Sequence, residues 1–230
     1  MNRKVDHYVE LVVNEFDSNR NEQNKAPMKK YMRDKFEFLG IRSPQRKLLS
    51  SSLMKEIGCL PREQMIEFVK QLWELPEREY QYFAMDYVYK FKKILTREDI
   101  ELLRYLITTK SWWDTVDLLA SNCAGYLFQT FPDLIDEYAK NWATDENLWL
   151  RRTAILFQLK YKDKTDQELL FQVIEENADD PLFFIRKGIG WALREYSKTS
   201  PSAVIEFVHT HQLSNLSRRE ALKYLNKKQD

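Results

Sequence analysis

Apolar residues recur at helical spacing along the whole chain. Val5, Val9, Val12 and Phe16 form one set, Ile100, Leu103 and Ile107 a second, and Val204, Ile205 and Val208 a third. Each describes the buried face of an amphipathic helix. Helix-start signals punctuate these runs at Pro27, Ser43-Pro44, Pro61, Pro76, Thr96 with Asp99, Ser111 with Asp114, Thr165 with Glu168, Asp180-Pro181, Ser200-Pro201 and Ser217 with Glu220. Every one is an N-cap, a capping box or a proline suited to a first turn. About a dozen helices follow. Taken in pairs, they begin near Pro61, Thr96, Pro132, Asp166 and Pro201, a spacing of 34 to 36 residues. That period belongs to two-helix repeats.

The second helices of three pairs resemble one another: WLRRTAIL at 149–156, FIRKGIGW at 184–191 and LSRREALK at 216–223. Each carries a basic pair at the same offset, namely Arg151-Arg152, Arg186-Lys187 and Arg218-Arg219. The expected fold is all-α, a curved solenoid of two-helix repeats whose second helices line a concave face suited to an extended partner. We expect one domain over 1–230, with N-terminal helices in 1–60 and about five pairs in 61–230. Exposed Arg and Lys that merely solvate a helix remain the alternative for any one pair.

Composition narrows the classes. Five Gly and seven Pro in 230 residues are too few for a hairpin-rich all-β chain. No apolar run reaches the length of about 18 residues needed to cross a bilayer, and the charged N-terminus lacks a signal-peptide core, so a cytoplasmic protein is expected. Cys59 and Cys123 stand apart, which suits free thiols. His7, His209 and His211 have no metal-ligand spacing, and no Gly-rich phosphate loop, HExxH or nucleophile elbow occurs. We therefore expect neither metal nor organic cofactor. Net charge is only +1, but Lys plus Arg against Asp plus Glu runs 12 to 8 over residues 1–60, 10 to 16 over 61–146 and 14 to 11 over 147–230. A duplex could meet basic flanks and central carboxylates, although acidic helices facing outward would give the same sums.

Any enzymatic chemistry must then rest on Asp, Glu, Arg, Tyr and Trp. In SWWDTVDLLASNCA, Trp112, Val116, Leu119, Ala120 and Cys123 form a core stripe behind Ser111 as cap. Trp113 and Asp117 share the neighbouring stripe one turn apart, with Ser121 following. A Trp at a seam between repeats beside a solvated Asp fits the same spacing. Arg152 lies on the apolar stripe of Leu148, Ile155 and Leu159, where a charge needs a partner or a function. Gly188 and Gly190 before Trp191 imply close approach by a neighbour, either helix or ligand. Tyr31 sits between Met28 and Met32 in a basic helix after Pro27, where it suits a core position as well as a cleft.

The chain resembles the AlkD-type DNA alkylation-repair glycosylases, a family of HEAT-like repeats, through PMKKYM, FLGI, LWELPERE, KSWWDTVD, NLWLRR, AILFQLKYK and IGWALREY in the family's order. The resemblance implies a curved solenoid of HEAT-like repeats with a concave DNA-binding face, and excision of purines alkylated at ring nitrogen 3 or 7 from duplex DNA. It implies that Asp117 is the catalytic aspartate, that Trp113 and Trp191 flank the lesion nucleotide, that Arg152 contacts the DNA backbone, and that Tyr31 belongs to the same cleft. A monomeric, monofunctional glycosylase using water is the reading that results. No amine neighbours Asp117 in the chain to form a Schiff base, though a lysine from another repeat could reach it. A non-enzymatic binder of DNA structures and a scaffold for a protein partner are the alternatives.

Overall fold

The computed structural model describes residues 3–227, so residues 1, 2 and 228–230 of the expected domain lie outside it. Its described residues form helices and no strand, apart from a single bridge between Glu37 and Glu77. They gather into two compact units that meet in sequence between Leu95 and Thr96.

The first unit contains α1 (Arg3–Ser18), α2 (Glu22–Tyr31), α3 (Ser43–Ile57), α4 (Arg62–Glu74) and α5 (Arg78–Phe91). Val5, Val12 and Phe16 are buried as their spacing requires, and α1 packs on α3 and α4. The α2–α3 connection is fixed by backbone chemistry. Glu79, fully buried at the start of α5, accepts the amides of Leu39, Gly40 and Ile41 at 3.0, 2.9 and 3.0 Å. Gly40 has φ +88°, and a Cβ there would lie 2.0 Å from the carbonyl oxygen of Asn21. The FLGI and PERE segments are thus two halves of one clasp.

The second unit holds α6 (Ile100–Thr108), α7 (Trp113–Leu118), α8 (Gly125–Thr130), α9 (Lys140–Ala143), α10 (Leu148–Leu156), α11 (Gln167–Glu175), α12 (Phe183–Tyr196), α13 (Pro201–Thr210) and α14 (Asn215–Asn226). Helices α7 and α8 are continuous through a π turn, Leu119–Ala124. The second helices stack in order, α10 on α12 and α12 on α14, while α11 packs on α10 and α13 on α12 and α14. These are helical repeats in two layers. Gly190 lies at a close approach of α12 to α14, since a Cβ there would lie 2.5 Å from Glu220 Cβ and 2.9 Å from Ser217 O.

Several start signals are displaced. Pro27 lies inside α2, which begins five residues earlier behind the Asn21 cap. Ser111 caps nothing: its hydroxyl donates back to Ile107 O at 2.6 Å, closing α6, and Trp112 occupies the N-cap of α7. Asp166 rather than Thr165 caps α11, and Ser214 rather than Ser217 caps α14. Ser217 is buried one turn later and donates to Arg186 O at 3.0 Å. Ile205, expected in the core, is exposed. The Thr96–Asp99 capping box forms as read, heading a short 3-10 turn before α6.

Candidate active site

Trp112, Val116, Leu119, Ala120 and Cys123 are all buried, which turns the neighbouring stripe of α7 outward. Trp113 and Asp117 from that stripe line one open cleft of about 310 Å³ with Trp191 of α12. Asp114, Ser121, Asn122 and Lys160 complete its polar lining. The sequence therefore juxtaposes Trp113 with Asp117, and stacking of repeats adds Trp191 from 74 residues further on. Directly after Asp117 and Leu118 the helix widens into the π turn, a local irregularity frequent at functional sites. Ser121 Oγ donates to Asp117 O across this segment at 2.7 Å.

Arg152 answers the question raised by its apolar stripe. It is buried on α10 and closes on Asp117 with two bonds, Nε to Oδ1 at 2.7 Å and Nη2 to Oδ2 at 2.9 Å. Its Nη1 donates to the Phe184 carbonyl. Gly188 makes this possible, because a Cβ there would stand 3.1 Å from Nη1. The glycine pair thus serves a side chain at 188 and a helix at 190. Burial pushes the Asp117 carboxyl above the usual carboxylate range, while the Arg152 charge and hydrogen bonds pull it down and Asp114 adds a smaller upward push.

The other basic residues are largely engaged within the fold. Arg151 donates to Asp145 O, Glu146 O and Asp180 Oδ2 at 2.6, 3.0 and 2.8 Å. Arg186 donates to Asp180 O at 2.8 Å, and Lys187 pairs with Glu220 at 3.0 Å. Arg218 reaches His211 O at 3.5 Å, whereas Arg219 is exposed. Tyr31 belongs to the first unit, where it ends α2 with 70% of its surface exposed rather than in a core. Among the described residues no group of side chains is arranged to hold a metal ion, and both cysteines carry free thiols.

Two features are not placed by the sequence, which allows a lysine near Asp117 without saying which. Trp112, Trp149 and Phe184 form an aromatic cluster beside Arg152, with ring centroids 4.9 to 5.7 Å apart. Its signal was available, since each residue lies in or just before the first turn of the second helix in successive repeats. Lys160 enters the cleft from the irregular segment after α10, and nothing in the spacing of KYK announces that.

The sequence model of the family described as DNA alkylation repair enzyme matches residues 12–225. The chain belongs to that family. A solved structure described as a predicted DNA alkylation repair enzyme from Enterococcus faecalis is similar to this alkylation-repair family member at 36% identity. Its TM-score is 0.84, over 90% of this chain and 97% of that one. Two Streptococcus mutans structures, smu.31 from strain UA159 and AlkD2, share the fold. Both are 16% identical, with TM-scores of 0.60 and 0.59 over 88% and 80% of this chain, and 98% and 88% of theirs. No curated protein matches. The family member is an enzyme of DNA alkylation repair, and no helix among its described residues is long and apolar enough to cross a membrane.

Proposed function

We propose that this alkylation-repair enzyme is a DNA glycosylase that hydrolyses the N-glycosidic bond of cationic purines, 3-alkyladenine and 7-alkylguanine, in duplex DNA. The observation that carries the reading is the meeting of the Asp117 carboxylate with the Trp113 and Trp191 rings in one cleft. When the C1′–N bond breaks, its electron pair leaves with the base, which becomes neutral and needs no general acid. Positive charge develops on the deoxyribose, as in glycoside hydrolysis. Asp117 stabilises that charge and orients the water whose oxygen bonds to C1′, the water's proton passing to solvent. The Trp faces favour a cationic nucleotide by about 0.5 to 2 kcal/mol each.

Arg152 acts in this scheme by holding Asp117 rather than by gripping phosphate, because its guanidinium is already bonded on two sides. The enzyme works as a monofunctional, cofactor-free monomer. Lys160 lines the cleft but is exposed, unlike the desolvated lysines that serve as Schiff-base nucleophiles. The test is base release from duplexes carrying 7-methylguanine or uracil. A neutral base departs as an anion and requires an acid, so 7-methylguanine is released and uracil is not. Equal release of both contradicts the mechanism.

A further inference from the structure

A second cavity, of about 360 Å³, adjoins the candidate cleft, with Leu159 and Lys160 lining both. Ile155 and Leu170 give it an apolar, buried floor. Lys160, Lys162 and Lys198 stand around it with one carboxylate, Glu195. Lys198 is bonded to both Glu195 oxygens, at 2.7 and 2.6 Å. Lys160 and Lys162 are exposed and make no ion pair among the described residues. Two uncompensated ammonium groups therefore border a cavity that opens beside the site of the proposed chemistry.

The segment carrying them is held stiffly. Gln158 bonds both backbone groups of Asp166, donating to its carbonyl at 3.1 Å and accepting its amide at 2.8 Å. Tyr161 points inward and donates to Gly125 O at 2.6 Å. Lys162 opens the second of two short 3-10 turns, Phe157–Lys160 and Lys162–Lys164, with φ 55°, a left-handed conformation that a lysine keeps only where its surroundings impose it. Lysine ammonium groups on such a fixed frame suit a tetrahedral oxyanion, whose charge they meet as points.

We propose that this cavity takes one backbone phosphodiester of the lesion-bearing strand, gripped by Lys160 and Lys162, and so sets the adjoining nucleotide in the Trp113–Asp117–Trp191 cleft. The proposal rests on the glycosylase reading, but its test does not use catalysis. Binding to undamaged duplex is measured across a salt series for the natural protein, for Lys160→Gln with Lys162→Asn, and for Lys140→Gln as a control, since Lys140 lines neither cavity. Asn tolerates the left-handed backbone, and Lys162→Asn alone serves if the double variant melts early. Loss of one phosphate contact makes the slope of log affinity against log salt shallower by about 0.9 for the lysine variants, with the control unchanged. Charge-neutral methylphosphonate linkages flanking a 7-methylguanine should erase the difference between natural and variant proteins. An unchanged slope in a well-folded variant overturns the proposal. So does a cavity that binds inorganic phosphate, read as a thermal shift lost in the variant, while the DNA slope stays the same. Failure of the natural protein to release any base would count against the glycosylase reading alone.

Discussion

The Arg152 guanidinium closes on both carboxylate oxygens of Asp117, joining α10 to α7 across 35 residues of sequence. It fixes the carboxylate's orientation in the cleft and offsets part of the cost of burying it. Breaking a buried pair from one side leaves an uncompensated charge, at a cost of about 3 to 5 kcal/mol. Arg152→Ala should therefore lower thermal stability and excision together. Arg152→Lys should recover stability only in part, because an ammonium cannot reproduce the two-bond geometry. Thermal melts paired with single-turnover base release check both variants.

Gly188 and Gly190 separate these effects. Gly188→Ala pushes on Arg152 Nη1 from 3.1 Å and should slow excision, with a destabilisation of about 1 kcal/mol. Gly190→Ala places a methyl 2.5 Å from Glu220 Cβ and 2.9 Å from Ser217 O, so it should force α14 away from α12 and destabilise by about 3 kcal/mol. Chemical denaturation and base release, measured side by side, should rank the two variants in opposite orders for stability and for rate per folded molecule.

Burial raises the Asp117 carboxyl, and Arg152 only partly opposes the shift. In the proposed mechanism the ionised form stabilises the sugar cation, so excision should be present above the folded-state pKa and be lost as pH falls through it. The acid limb of the rate profile should lie above the ordinary aspartate value of about 3.9. Arg152→Lys should move that limb upward. Initial-rate profiles corrected for spontaneous base loss read the limb, and one at or below the ordinary value contradicts the assignment.

Much of this site was legible because it is local. Trp113 and Asp117 are four residues apart on one helix, and the burial of Trp112, Val116 and Cys123 decides which way both face. The Arg152 position also announced a need for a partner, since an apolar stripe does not accept a lone charge. The partner's identity was not legible, because pairing across repeats depends on how α10 packs against α7. Helix starts show the same limit: around Asp166 and Ser214 several capping residues stand close together, and the exit direction of the preceding chain selects among them. The π turn after Asp117 leaves no mark in residue type at all.

Trp113→Ala and Trp191→Ala should slow release of 7-methylguanine about two- to thirtyfold each, the equivalent of losing a cation–π contact of about 0.5 to 2 kcal/mol. Both rings are half-buried in the cleft wall, so affinity for undamaged duplex should fall less than the rate does. Binding titrations and single-turnover kinetics on the same preparations separate the two. An equal loss in both would make the rings general DNA contacts.

The most direct test of the account is single-turnover release of 7-methylguanine by Asp117→Asn, paired with a thermal melt. The substitution keeps the shape of the side chain and removes the charge assigned to stabilising the sugar cation. The account predicts a well-folded variant that binds duplex and releases the base about a hundred- to a thousandfold more slowly. Near-normal release by such a variant would make Asp117 a structural partner of Arg152 and contradict the mechanism.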